Sequence, residues 1–214
     1  MKNNKNKFPN KKYDVIDEFY DAYVENLNFT LSSINKKLLN KILTLFQNTI
    51  NNNSKILICG NGGSSSVSNH FLCDFQKGLL LDNNLKLNTH SLTANTDLIT
   101  AISNDISYDE IFTLQLKSMA KRGDLLVVFS VSGNSKNIIK ACKLAKKMNL
   151  KIISFVGFKS SKVKKYSTIC LELNNYNFGV SEDIFQSLMH IFSQFIRHKD
   201  KSIKNIKKQK NIFC

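Results

Sequence analysis

The sequence predicts an α/β protein built on a parallel sheet. Short apolar runs of strand length, among them Ile56-Leu57-Ile58-Cys59 and Leu125-Leu126-Val127-Val128-Phe129, alternate with amphipathic segments of helical period. Each of these two runs ends in a polar loop, Gly60-Asn61-Gly62-Gly63 after the first and Ser130-Val131-Ser132-Gly133-Asn134-Ser135 after the second. A helical segment follows each loop. Strands alternating with helices in this way imply right-handed βαβ units whose helices cover both faces of the sheet.

Residues 1–12 are polar and basic and are expected to form a disordered tail. Val15, Ile16, Phe19, Tyr20, Tyr23 and Val24 recur with helical period and predict a helix over 13–28. A second helix over 32–51 would carry Ile34, Leu38, Leu39, Ile42, Leu43 and Phe46 on one face. Each of these helices must bury its stripe, on the sheet or on a partner subunit. After the first strand and its loop, Ser64, Ser65 or Ser66 can cap the next helix. A short strand is expected over 86–92, a helix over 95–103, a turn at Asn104-Asp105 and a helix over 108–121. The second buried strand covers 125–129, with a helix over 136–148 and a strand over 151–156. A short helix at 162–165, a strand at 168–173 and a helix over 181–198 complete a single domain of residues 13–198. Residues 199–214 read as a basic tail.

With 214 residues, 42% of them hydrophobic, the chain suits one domain with a good core. It has no apolar run of about eighteen residues, so no membrane-spanning helix is expected. The basic N-terminus has no apolar segment behind it and does not read as a secretory signal. Cys59, Cys73, Cys142, Cys170 and Cys214 are scattered, which points to a reducing cytoplasm without disulfides. The net charge of +15 lies largely in the two ends. Neither an RNA-binding aromatic motif nor a zinc-finger spacing accompanies it, so solvated tails are expected rather than a nucleic-acid partner.

The first loop places glycines and free amides at a helix start, which favours an anion, most often a phosphate. It lacks the Walker A Lys-Ser/Thr and the full dinucleotide fingerprint, so alone it also fits a plain glycine-rich turn. The second hydroxyl-rich loop changes the balance. Ligands on parallel sheets bind at the carboxyl ends of the strands. Two such loops can grip one phosphate and the hydroxyls of the molecule that carries it.

GNGGSSSVSNHF at 60–71, Asn104-Asp105, SVSGNSKN at 130–137 and SEDIFQSLMHIF at 181–192 together resemble the sugar isomerase (SIS) domain. More closely, they resemble the phosphoheptose isomerase family, over roughly residues 19–197. The resemblance implies a three-layer αβα sandwich with a central parallel sheet, two N-terminal helices and a C-terminal helix. It implies interconversion of sedoheptulose 7-phosphate and D-glycero-D-manno-heptose 7-phosphate, on the way to the activated heptoses of lipopolysaccharide, capsule or surface-layer glycans. It further implies a homotetramer with active sites between subunits, and a zinc ion. By the same resemblance Asn61, Gly62, Gly63 and Ser64 line the sugar phosphate, and Asn104 and Asp105 contact the sugar. Ser130, Val131, Ser132 and Ser135 would hold the phosphate. The family's His-x3-Glu and Gln-x7-His pairs fall at His70 and Asp74, then at Glu182 and His190. Asp thus replaces Glu, Glu replaces Gln, and Val131 replaces a usual Thr.

Aldose–ketose isomerisation needs a base to take a proton from the carbon beside a carbonyl, and an acid to return one, through an enediol. His70 and Asp74 are four apart and share a helix face. Glu182 and His190 are eight apart, again on one face. The four residues suit a zinc site, with Glu182 also within reach of substrate, or work without metal with Asp74 as base and His190 as acid. Structural readings stand beside these. Either histidine can be a buried hydrogen-bonded residue, Asp74 can pair with Lys77, and Glu182 can serve the helix dipole. Asp183 competes with Glu182, while His90 and His198 receive no role. The alternatives to a heptose isomerase are an isomerase of another sugar phosphate and a non-catalytic SIS protein that binds a sugar phosphate or a protein.

Overall fold

Five strands pair in parallel in a computed structural model that describes residues 7–199. The chain runs α1 (Ile16–Ser32), α2 (Lys36–Asn51), β1 (Ile56–Gly60), α3 (Gly63–Cys73), a π-helical turn (Asp74–Gly78), α4 (Leu79–Asn83), β2 (Thr89–Ser91) and α5 (Thr96–Asp105). It continues with a 3₁₀ turn (Tyr108–Glu110), α6 (Ile111–Met119), β3 (Leu125–Ser130), α7 (Lys136–Lys147), β4 (Lys151–Val156), a 3₁₀ turn (Lys162–Lys165), β5 (Ile169–Glu172) and α8 (Phe178–Lys199). The strand order is β2-β1-β3-β4-β5.

Side-chain alternation along the strands builds two cores. Ile56, Ile58, Val127, Phe129, Ile153 and Phe155 face one side, where Phe46 of α2, Phe71 of α3 and Phe185, Leu188 and Phe192 of α8 cover them. Leu57, Cys59, Leu126, Val128, Ile152 and Val156 face the other, against Ile102 of α5, Phe112 and Leu116 of α6 and Ile138 and Ala141 of α7. The predicted N-terminal helices thus bury their stripes on the sheet side that also carries α3 and α8.

Capping residues explain most shifts from the expected boundaries. The second helix begins at Lys36 rather than at 32, because the Asn35 side chain accepts from Lys37 N. The last helix begins at Phe178 rather than at 181, and Asn177 Oδ1 accepts from Val180 N at 2.9 Å. The segment expected as one helix over 108–121 breaks into a 3₁₀ turn and α6, with Ser107 capping the turn through Asp109 N. Asn104 and Asp105 close α5 instead of forming a turn after it. Phe8, assigned by sequence to the disordered tail, is buried and packs on Tyr13, Phe19 and Tyr23. Its ring completes an aromatic cluster whose other members sit at one end of α1. Residues 1–6 and the tail from 200 lie outside the described residues.

The four cysteines among the described residues are free. Burial pushes the Cys142 thiol up to about 12 and Cys170 to about 11, which keeps them protonated. No helix among the described residues is long and apolar enough to cross a membrane.

Fully buried Asp124 ties the starts of β1 and β3 together. Its carboxylate accepts from Lys55 N and Lys121 N, each at 2.8 Å. Replacing Asp124 by Ala leaves both part-buried amides without this acceptor. The Asp124→Ala variant is expected to lose about 2–4 kcal/mol of stability, read as a lower urea midpoint with an unchanged denaturant slope.

Candidate active site

The strand order reverses direction between β1 and β3, and open sheets of this kind bind ligands outside the carboxyl ends of the strands at that point. The β1–β3 register pairs Gly60 with Phe129, so both Gly/Ser/Asn loops leave the sheet at one level. A reciprocal amide pair joins them: Asn61 Nδ2 donates to Asn137 Oδ1 and Asn137 Nδ2 donates to Asn61 Oδ1, both at 2.9 Å. Tyr108, from beyond α5, adds its hydroxyl to Asn61 Oδ1 at 3.2 Å.

The two helix starts differ in charge. Gly62 precedes α3 with φ +56°, a conformation that glycine adopts without strain. A Cβ on Gly63 would fall 2.1 Å from Glu182 Oε2, and Ser64 Oγ donates to Glu182 Oε1 at 3.0 Å. A carboxylate therefore already lies at the positive end of α3. The start of α7 carries none. Ser135, its N-cap residue, makes no side-chain cap bond, and Lys136 follows it on the surface. Gly133 N bonds Ser130 Oγ and Asn134 N bonds Ser132 Oγ, which fixes the loop shape. A dianionic phosphate is repelled by Glu182 and attracted by the open α7 terminus, so the second loop is the better phosphate seat.

Below the loops, α3 and α8 pack together, and the seam between their polar flanks, where His70 is exposed and Asp74 and His190 are half-buried, is the groove of this site. The rings of Phe71 and Phe75 stack at 3.9 Å and turn inward with Phe185 and Phe192. Their neighbours His70, Asp74, Gln186 and His190 are thereby held at the groove. Asp74 opens a π-helical turn, a local widening of the kind found at functional sites. Its Oδ1 lies 3.5 Å from His70 Nε2 and its Oδ2 lies 3.9 Å from His190 Nε2. Ser193 Oγ donates to Asp74 Oδ2 at 3.3 Å. One donor atom from each of His70, Asp74 and His190 falls within 4.8 Å of the others. Two imidazole nitrogens and a carboxylate oxygen, converging and partly open to solvent, fit a divalent cation such as zinc.

The structure sorts the predicted residues. His70, Asp74 and His190 come together. Asp74 pairs with the histidines, and no ion pair joins it to Lys77 among the described residues. Glu182 does not join that cluster; it lies two turns before His190, on Ser64 and Gly63. Asp183 turns to α1 and accepts from the Tyr23 hydroxyl at 2.5 Å. Burial first, and then that bond, push the Tyr23 phenol well up. Ser130, Ser132 and Ser135 flank the crevice on the second loop, whereas Val131 is buried in the core and spends its carbonyl on Gly157 N and Phe158 N. Asn104 and Asp105 are exposed and bonded to one another. Sequence reading passed over Tyr108, Asn137, Gln186 and Ser193. Asn137 closes the SVSGNSKN motif, so its place was visible; Gln186 stands one turn before His190, a spacing that could have found it, and Ser193 carries no local signal.

The fold and this site define a SIS-domain protein, and the chain matches the SIS domain family over residues 19–157. It is 34% identical over 186 residues to the phosphoheptose isomerase of Helicobacter pylori strain P12, an alignment covering 86% of this chain and 96% of that protein. It is 31% identical over 192 residues to the probable phosphoheptose isomerase of Thermoplasma volcanium, covering 90% and 96%. Phosphoheptose isomerase GmhA from Neisseria gonorrhoeae superposes with a TM-score of 0.78 at 26% identity, over 86% of this chain and all of that one. The Vibrio vulnificus NanR protein, solved with ManNAc-6P, shares the fold at a TM-score of 0.61 and 19% identity, over 92% of this chain and 71% of that one. The chain belongs to the phosphoheptose isomerase family of SIS-domain proteins.

The Asn61–Asn137 pair generates a prediction. Asn137→Ala removes the two amide bonds of the pair and the bond from Ile138 N to Asn137 Oδ1, each worth about 0.5–1.5 kcal/mol net. Amide exchange in residues 60–63 and 130–136 is expected to accelerate, and affinity for a sugar phosphate to fall about tenfold, with the melting transition still cooperative. Unchanged exchange in both loops would show that the pair does not hold them.

Proposed function

We propose that the protein interconverts sedoheptulose 7-phosphate and D-glycero-D-manno-heptose 7-phosphate, as a ketose–aldose isomerase that supplies activated heptoses for surface glycans. The observation that carries this reading is the His70–Asp74–His190 cluster, set in one groove with two loops that suit a phosphate. His70 lies seven residues beyond Gly63, about 10 Å along α3 from the level at which both loops leave the sheet. That separation suits a substrate with its phosphate and its reacting carbons at opposite ends of an extended seven-carbon chain.

With the phosphate on Ser130, Ser132 and Ser135 and the α7 amides, the ketose end reaches the cluster. Asp74 takes a proton from C1 and a proton is delivered to the C2 oxygen, giving the enediol. His190 is the acid in that step; it then removes the proton from the C1 oxygen while Asp74 returns one to C2, leaving the aldehyde at C1. Ser193 holds Asp74 toward the groove. Glu182, at the loop end, accepts from sugar hydroxyls, and Asn61, Asn104 and Asp105 line the rim. In the alternative to this metal-free acid–base chemistry, zinc would be held by His70, Asp74 and His190. When bound, it would polarise the substrate's carbonyl and hydroxyl oxygens.

Turnover of sedoheptulose 7-phosphate, followed by NMR with and without added zinc, tests the reading. The aldoheptose phosphate should form, and Asp74→Asn and His190→Ala should each lower kcat by about 10²-fold or more. No turnover with saturable sugar-phosphate binding would make this a binding protein instead.

Assembly into a homotetramer with sites between subunits belongs to the same proposal. Ile191 and Phe195 on α8 and Leu80 and Leu81 around α4 are exposed beside the His190 groove, the kind of apolar surface that partners cover. Sedimentation at micromolar concentration should give four chains. Ile191→Asp with Phe195→Asp should give smaller species and a large loss of turnover.

A further inference from the structure

We propose that Gln186 is the positioning residue of His70, the side chain that fixes Nε2 as the ring nitrogen turned to Asp74 and sets whether that nitrogen carries the proton. The inference rests on the isomerase reading for its consequence, not for its geometry. Gln186 Nε2 lies 2.7 Å from His70 Nδ1 and 3.2 Å from His190 Nε2. The two rings meet edge to face at 5.0 Å. Gln186 is one turn before His190 on α8, so the two share a face, and Phe185 and Met189 anchor that turn in the core. The carboxamide is thus wedged between the rings and touches both.

A neutral imidazole carries its proton on one nitrogen and a lone pair on the other. Gln186 occupies Nδ1 of His70, so Nε2 is left for Asp74, which lies 3.5 Å away. With its NH₂ toward the rings, Gln186 donates to His70 Nδ1 and His190 Nε2. The His70 proton then sits on Nε2 and points at Asp74, the arrangement for proton transfer. Turned by half a rotation, the amide oxygen accepts from His70 Nδ1–H. The Nε2 lone pair then faces Asp74, the arrangement for holding a cation. In both states the working nitrogen of His70 is Nε2.

Glu182, two turns before His190, is committed to Ser64 and the start of α3. The amide that meets the histidines comes from four residues before His190 instead.

The test uses Gln186→Leu, with Gln186→Met as an unbranched second variant should Leu lower the melting temperature. Nitrogen-15 NMR of the metal-free protein reads the ring tautomers directly. In the metal-free wild type, with the Gln186 NH₂ toward the rings, His70 should be the Nε2–H tautomer; in the variants it should become a mixture. Zinc affinity by chelator competition and kcat should each fall about 10–100-fold, with KM for the sugar phosphate changed less than twofold. An unchanged His70 tautomer with unchanged zinc affinity overturns the proposal. Because the NMR readout needs no substrate, altered tautomers in a protein that never turns over the sugar phosphate would sustain this inference while refuting the isomerase reading.

Discussion

The pairing of β1 with β3 decides where everything else lies. Ile56 to Gly60 run beside Leu125 to Phe129 without a bulge, so both strands end together and both loops leave side by side. Asp124 fixes the beginning of that ladder through the Lys55 and Lys121 amides. Asn61 and Asn137 fix the end of it through their paired amides. A slip of one residue would reverse every side chain across the sheet, sending Phe129 away from α8 and Leu126 toward it. The crevice is therefore a by-product of register, and register is enforced by two apolar faces that cannot exchange.

The aromatic layer converts that frame into chemistry. Phe71 and Phe75 stack on each other, Phe129 stacks on Phe155 at 5.0 Å, and Phe192 contacts Phe46 at 5.6 Å. These rings lock α3 and α8 against one face of the sheet. His70 and Asp74 are each next in sequence to one of these phenylalanines, Gln186 follows Phe185, and His190 follows the buried Met189. Their side chains take the flank that the rings leave open. Removing ring volume would loosen the groove before it unfolded the domain, because the second core, around Phe112 and Leu116, is separate.

Much of this was legible in the sequence, for identifiable reasons. The loops could be read because glycine and serine interrupt apolar runs, and because two such loops occur, each between a strand and a helix. His70 and Asp74 could be paired because a spacing of four is a helix face. What could not be read is whatever depends on the distance between two helices. Glu182 and His190 share a face of α8, yet the first meets the start of α3 and the second meets its end. Gln186 stands four residues before His190, the same helix-face spacing, but a glutamine on a helix is ordinarily a surface residue and so drew no notice. Phe8 was lost for the opposite reason: its polar, basic neighbours outweighed one ring with a hydrophobic cluster to join. The π-helical turn at Asp74 has no proline or glycine at its start to announce it.

Charge gives the site its direction. The groove carries Asp74 and Glu182, while the exposed lysines of α7, Lys136, Lys140, Lys143, Lys146 and Lys147, lie along the helix whose start faces the second loop. Lys140 is held by Glu110 and Asp109, so part of that charge is compensated locally. The remainder, with a net charge of +15 for the whole chain, gives a positive field that draws an anionic sugar phosphate in and favours entry phosphate-first toward α7. The carboxylates of the groove then repel the phosphate and accept hydroxyls, so the substrate has one favourable orientation. A field that attracts the molecule and a local charge that orients it are separate devices, and the separation is the reason for proposing the phosphate seat on α7 although α3 has the more glycine-rich start.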